Sequence, residues 1–192
     1  GQDLSTQYIG NILTTTNVES SPSIPKVGEL WFEQKLFDNR LGIRAGLLEA
    51  DRYYIISPTA NIFVNSTFGF PDSWEANMPG SGPGYPNATP AILASYDFND
   101  DWKITAPVMN GMPNGPDTTS SQYGTKLPIG NGTLSWLEGA FTPEWSLGDH
   151  VLPGYYKLGG WYNSYSVDNV TLADTGRTFN NPVNTTYRGQ YS

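Results

Sequence analysis

Cysteine is absent from this 192-residue chain, and histidine occurs once, as His150. Neither a disulfide framework nor a thiolate metal site is possible, and a multi-histidine metal cluster is excluded with them. Charge is also scarce. Asp, Glu, Lys and Arg make up 15% of the residues, and 18 acidic against 10 basic side chains leave a formal net charge of −8. That balance excludes nucleic acid as a partner, because phosphate recognition needs a basic face. No apolar run approaches the ~20 residues of a membrane-crossing helix. A β-barrel is untouched by that argument, since its spans are ~10-residue alternating strands. No leader peptide is visible at Gly1, which fits a processed chain or a piece of a longer one.

What is abundant points to strands and turns. Aromatic residues reach 14%, and there are 21 Gly and 15 Pro. Such a composition favours β-structure over helix, and so many rings argue against disorder. Period-two alternation predicts strands over 4–13, 26–37, 41–53, 90–98, 102–110, 132–142, 154–164 and 184–192, with a short helical turn within 58–68. The connections alternate in length. Phe37-Asp38-Asn39-Arg40 and Asn99-Asp100-Asp101 read as tight turns, and Pro143 to Pro153 as a moderately short link. The stretches 54–89, 111–131 and 165–183 are long. Compact soluble domains seldom carry such loops, whereas outer-membrane barrels pair short periplasmic turns with long extracellular loops.

The alternation itself separates two faces. Leu30, Phe32 and Leu36 oppose Glu29, Trp31, Glu33 and Lys35. Leu41, Ile43, Ala45 and Leu47 oppose Gly42, Arg44 and Gly46, and Trp102, Ile104, Ala106 and Val108 oppose Lys103, Thr105 and Pro107. Ile92, Ala94, Tyr96 and Phe98 oppose Leu93, Ser95 and Asp97, and Tyr156, Leu158, Gly160 and Tyr162 oppose Tyr155, Lys157, Gly159 and Trp161. Charges at mid-strand on the second face are what a barrel lumen would show. Phe37, Tyr96, Phe98 and Trp102 gather beside the short turns, as an interfacial girdle would. Ordinary core aromatics account for them as well.

Several pieces together resemble the OprB-type carbohydrate-selective porins. They are Asn17-Val18-Glu19, Glu29-Leu30-Trp31-Phe32-Glu33-Gln34, Leu41-Gly42-Ile43-Arg44-Ala45-Gly46-Leu47 and Phe63-Val64-Asn65-Ser66-Thr67-Phe68-Gly69. Later echoes are Pro86 to Tyr96, Gly159-Gly160-Trp161-Tyr162 and Tyr187-Arg188-Gly189-Gln190-Tyr191. The resemblance implies an all-β fold: a sixteen-stranded antiparallel transmembrane β-barrel in the outer membrane of a Gram-negative bacterium, admitting monosaccharides such as glucose by passive diffusion. Residues 1–192 would form part of one barrel domain, about half of its strands, with no internal boundary. The implied partners are small carbohydrates, outer-membrane lipid and lipopolysaccharide, and the remaining strands; further copies of the chain are a candidate as well, since lipid-facing and partner-facing apolar rows look alike. No cofactor and no catalytic residue are implied.

A diffusing sugar offers apolar C–H faces to aromatic rings and hydroxyls to charged or amide side chains. The inward row Glu29, Trp31, Glu33 and Lys35 fits this, with Arg44 on the neighbouring strand and Lys157 and Trp161 further along. Wall packing would explain Trp31 as well. A salt-bridge ladder that holds the barrel open would explain Glu33, Lys35 and Arg44. If the 54–89 connection folds inward, Phe63, Asn65, Phe68 and Trp74 narrow the pore and Asp51 flanks it.

Catalysis and other ligands find little support. Glu29 and Glu33 sit four apart on one strand, ~13 Å between them, whereas glycosidase pairs are ~5–9.5 Å apart. No Gly-x-Ser-x-Gly elbow occurs, and Gly80-Ser81-Gly82-Pro83-Gly84 lacks the lysine of a phosphate loop. Asp97, Asn99, Asp100 and Asp101 offer hard oxygens for Ca²⁺, and turn chemistry explains the same residues. The competing reading is a secreted β-sandwich lectin, suggested by Asn-x-Ser/Thr triplets at Asn65, Asn87, Asn131, Asn169 and Asn184.

Overall fold

The computed structural model describes residues 8–10, 15, 26–65, 68–69, 74, 78, 82–113, 123, 127, 129–130, 132–168 and 186–191. Nine strands occur there: β1 (Leu30–Leu36), β2 (Leu41–Leu48), β3 (Thr89–Asp97), β4 (Trp102–Asn110), β5 (Thr133–Phe141), β6 (Glu144–Leu147), β7 (His150–Pro153), β8 (Tyr156–Asp168) and β9 (Thr186–Tyr191). Seven of them form one sheet in the order β1-β2-β3-β4-β5-β8-β9, and β6 and β7 make a separate hairpin. All pairings are antiparallel.

Most predicted strands lie within a few residues of these. Three stretches need comment. The strand expected to reach residue 53 ends at Leu48, because Ala50–Arg52 wind into a 3₁₀ turn. The link from Pro143 to Pro153 contains two strands, closed by Gly148 in the left-handed region at φ 63°. The strand predicted over 4–13 lies mostly outside the described residues, and Tyr8–Gly10 are not strand. The helical turn expected within 58–68 is the 3₁₀ turn Ala60–Ile62.

The short connections are built from their own side chains. Arg40 N–H donates to Phe37 O at 3.0 Å, with Asp38 and Asn39 both at positive φ between them. A hairpin turn of this hand matches strand twist, and Asp and Asn tolerate it best after glycine. At the next turn Asn99 Oδ1 accepts from Asp101 N at 3.0 Å and Trp102 N at 2.9 Å. The Asp/Asn cluster there is thus employed in an Asx turn.

The two faces separate as the alternation predicts. Leu30, Phe32, Ile92, Val108 and Leu137 all stand exposed on one face, and Leu158 is 86% exposed. On the other face Leu93, Met109, Leu134, Trp136 and Trp161 are buried. A contiguous apolar face of this extent in contact with water is untenable for a soluble domain, and a β-sandwich would cover it with a second sheet. Among the described residues no helix is long and apolar enough to cross a membrane, a statement that leaves crossing by strands untouched.

The inward face is covered from within. Ala50, Tyr54, Trp74 and Met78, all from the connection between β2 and β3, pack with Leu48, Leu93, Met109, Leu134, Trp136 and Trp161. Tyr54 lies 5.1 Å from Trp136 and 5.8 Å from Trp74, and Trp74 meets Trp161 edge-on at 5.7 Å. The long connection therefore folds against the inner wall.

Close approach of β1 and β2 depends on Gly46, which lies opposite Trp31 with φ +150°. A Cβ there would strike Leu30 O and the Trp31 Cα. Gly46→Ala is expected to push β1 away and lower the temperature at which the folded barrel loses its compact form in detergent electrophoresis. Migration and melting identical to the parent would contradict this tight packing.

Candidate functional site

The site is built from β1, β2 and the first turn beyond β2. Glu33 and Arg44 are directly opposed in the β1–β2 register, and Arg44 Nη2 donates to Glu33 Oε1 at 3.0 Å. Gly42 lies beside this pair: a Cβ there would sit 3.5 Å from Glu33 Oε1 and 3.1 Å from Ser95 Oγ. The guanidinium carbon lies 4.0 Å from the Trp31 ring centroid and 5.1 Å from that of Tyr53. A cation held by two rings gains about 0.5–2 kcal/mol from each contact, depending on desolvation. Arg44 is therefore fixed in place, 19% exposed, with its Nε buried and without a partner.

The cluster continues through Tyr53, whose hydroxyl donates to Glu29 Oε2 at 3.1 Å. Burial first, then this hydrogen bond to a carboxylate, push the Tyr53 phenol up to about 12. Glu29 Oε1 accepts Glu49 N–H at 2.9 Å, and Arg52 Nε donates to Glu49 Oε2 at 2.8 Å with Glu29 Oε2 3.7 Å away. The Arg52 guanidinium is accordingly held above its ordinary range, chiefly by Glu49.

Asp51 follows a different logic. Burial pushes its carboxyl up to about 6, while the Tyr85 N–H that Asp51 Oδ2 accepts at 3.0 Å works the other way. The folded chain holds the proton that the unfolded chain has already released, so stability falls as pH rises through about 4 to 6. Asp51→Asn keeps an acceptor for Tyr85 and is expected to abolish that slope. Unfolding midpoints recorded in detergent across the window test this, and an unchanged slope would refute it.

A second cluster lies across the inner wall. Lys157 Nζ meets Glu138 Oε1 at 2.7 Å, and Glu138 Oε2 accepts Ile55 N–H at 2.8 Å. Ile55 is a β-branched residue at φ 55°, a costly conformation that its neighbours must hold. Lys157 Nζ also stands 5.3 Å from the Tyr155 ring centroid.

Of the residues singled out from sequence, Glu29, Trp31, Glu33 and Arg44 come together in one cluster. Lys157 belongs to the second. Lys35 shares their face but stands toward the Phe37 turn, opposite Gly42 and exposed. Phe63 stacks on Phe68 at 4.4 Å, half-exposed, and Asn65 O accepts Phe68 N–H at 3.1 Å. Asp51 braces the chain at Tyr85. Trp161, at 7% exposure, lies beneath Trp74 as part of the packed wall. Sequence reasoning passed over Tyr53, Glu49 and Arg52, and it gave Glu138 no place in the lumen. Glu138 was detectable: it falls on the inward parity of β5, between Trp136 and Ala140.

Comparison with known proteins decides what this wall belongs to. The model of the carbohydrate-selective porin, OprB family, matches residues 1–192. The chain belongs to the OprB family. Porin B of Pseudomonas aeruginosa is 27% identical over 180 residues, covering 88% of this chain and 37% of that protein. The high-pH structure of Pseudomonas putida OprB superposes with a TM-score of 0.71 at 19% identity, over 93% of this chain and 41% of the other. The chain thus spans well under half the length of either relative. This OprB-family chain has the antiparallel β-barrel fold and sits with its family in the bacterial outer membrane.

Proposed function

We propose that the complete barrel carrying this OprB-family segment is a passive diffusion channel for monosaccharides, glucose among them. The observation behind the reading is Arg44, held on the inner wall between the Glu33 carboxylate and the Trp31 and Tyr53 rings. Fixed charge beside aromatic surface matches the two chemical handles of a sugar. Each contact is exchangeable, as passage requires. Glu29, Glu33 and Arg44 meet hydroxyls, Trp31 offers a ring edge, and Lys157 and Lys35 set the charge further along the path. Asp51, Phe63 and Asn65 shape the inward connection, and Trp161 backs it. The remaining strands pair with the open edges of β1 and β9, since hydrocarbon leaves unpaired backbone groups unsatisfied. Lipopolysaccharide surrounds the long-loop end.

Single-channel recording with glucose as a blocker of ion current tests this. Trp31→Ala is expected to weaken the block several-fold, because it removes both a ring and the platform on which Arg44 rests. An unchanged block would return Trp31 to wall packing. A parent channel that glucose never blocks or crosses would remove the sugar reading altogether. The lectin reading has no comparable support, because it needs the exposed apolar row buried.

A further inference from the structure

The β6–β7 hairpin stands apart from the seven-stranded sheet, and sugar passage does not use it. Its register pairs Trp145 with Leu152 and Leu147 with His150 on one face, and Glu144 with Pro153 and Ser146 with Val151 on the other. Trp145, Leu147 and Leu152 therefore share a face with His150 near the tip, while Glu144 and Ser146 face away together with the smaller Val151 and Pro153. All eight strand residues are exposed, so this apolar face has no cover within the described residues.

Its base is fixed to the short-turn end of the barrel. Gly154 N–H donates to Pro143 O at 2.7 Å, and Thr142 N–H donates to Asp101 O at 2.8 Å in the β3–β4 turn. The outward aromatic rows lead to it. Trp102 stacks on Phe141 at 4.4 Å, and Phe141 faces Tyr156 at 6.2 Å. A Cβ built on Gly154 would lie 2.8 Å from Tyr156 Cε2 and 3.2 Å from Trp145 Nε1. Trp145 and Tyr156 thus flank one glycine, and the lipid-facing row passes into the hairpin's apolar face without a break.

We infer that this hairpin is a membrane-surface anchor: its Trp145–Leu147–Leu152 face lies on the phospholipid of the periplasmic leaflet. The occupant follows from continuity. The row that ends at Tyr156 already faces acyl chains, and short turns mark the periplasmic boundary. A tryptophan with its ring in apolar surface and its N–H toward headgroups suits that depth. Both rings and bulky leucines lie on one face and the strands' carboxylate on the other, a β counterpart of an interfacial amphipathic helix in which only the Trp145–Leu147–Leu152 side has the apolar bulk to bury. Glu144, Ser146 and the tip residue Asp149 remain in water.

The absence of cysteine makes the test direct, since each substitution adds a single thiol to these 192 residues. Trp145→Cys, Leu147→Cys, Leu152→Cys, Ser146→Cys and Val151→Cys are made in the complete barrel and nitroxide-labelled. The barrel is then reconstituted in phosphatidylethanolamine–phosphatidylglycerol vesicles. Leu158→Cys, on the lipid row of β8, verifies insertion in every preparation. Collision with oxygen, relative to a water-soluble nickel chelate, is expected to be several-fold higher at 145, 147 and 152 than at 146 and 151. Equal, nickel-dominated access at all five positions would overturn the inference, because the hairpin would then stand free in water. Protection of the apolar face from both reagents would overturn it too, because a protein surface would then cover it.

Discussion

Replacing Glu138 with alanine is expected to destabilise the barrel by about 3–5 kcal/mol, the usual cost of removing one partner from a buried ion pair. Glu138 is 4% exposed and serves two partners, one cationic and one neutral. One oxygen neutralises Lys157 at 2.7 Å, and the other caps the Ile55 N–H at 2.8 Å. Alanine strands both. It also frees Ile55 from its left-handed conformation and loosens the adjacent Tyr54, whose ring lies 5.1 Å from Trp136. The inward connection should then lift from the wall, and unitary ion conductance should rise with the loss of stability. Glu138→Gln separates the two duties. Its amide oxygen still accepts from Ile55 but cannot balance Lys157, so the glutamine variant should lie between parent and alanine. Melting in detergent and single-channel conductance measure both quantities. Equal stability and conductance in parent and alanine variants would mean that Glu138 holds nothing in place.

The second large effect concerns Arg44. Arg44→Ala removes a charge-assisted donor, and such bonds contribute about 1.5–3 kcal/mol. Glucose block of the complete channel should therefore weaken by roughly 10- to 100-fold. The unpaired Glu33 carboxylate should simultaneously shift ion selectivity toward cations. Arg44→Lys distinguishes position from charge. Lysine keeps the positive charge but lacks the planar fork that lies over Trp31 and points two nitrogens at once. It should restore the ion selectivity while leaving the sugar block weak. Full recovery of block by lysine would show that charge alone matters, and an unaltered alanine variant would remove Arg44 from the sugar path.

The parts of the fold that were legible are those governed by period two. Leu30, Phe32 and Leu158 announced one face because each alternates with a charged neighbour, Glu29, Glu33 and Lys157, that hydrocarbon would reject. The Asp38–Asn39 turn was legible because few residues accept that backbone hand. The β6–β7 hairpin was not, because four-residue strands give alternation too little length to stand out from a loop. Within the site, parity put Glu33, Lys35 and Arg44 on one face, and the register then pairs Arg44 with Glu33 and sets Lys35 opposite Gly42. Tyr53 was missed because its position depends on the 3₁₀ turn that ends β2, which turns the chain inward at Ala50. Trp161 was read as pore surface because its parity is inward, which is right. What parity cannot reveal is that Trp74, 87 positions earlier in the numbering, lies over it.

The seat of the inward connection carries a consequence for biogenesis. Tyr54 and Trp74 leave the chain early, yet the surfaces they rest on, Trp136 and Trp161, are contributed by strands synthesised much later. The seating of Tyr54 and Trp74 therefore needs β5 and β8 in place, and it carries the entropy cost of a long-range loop closure.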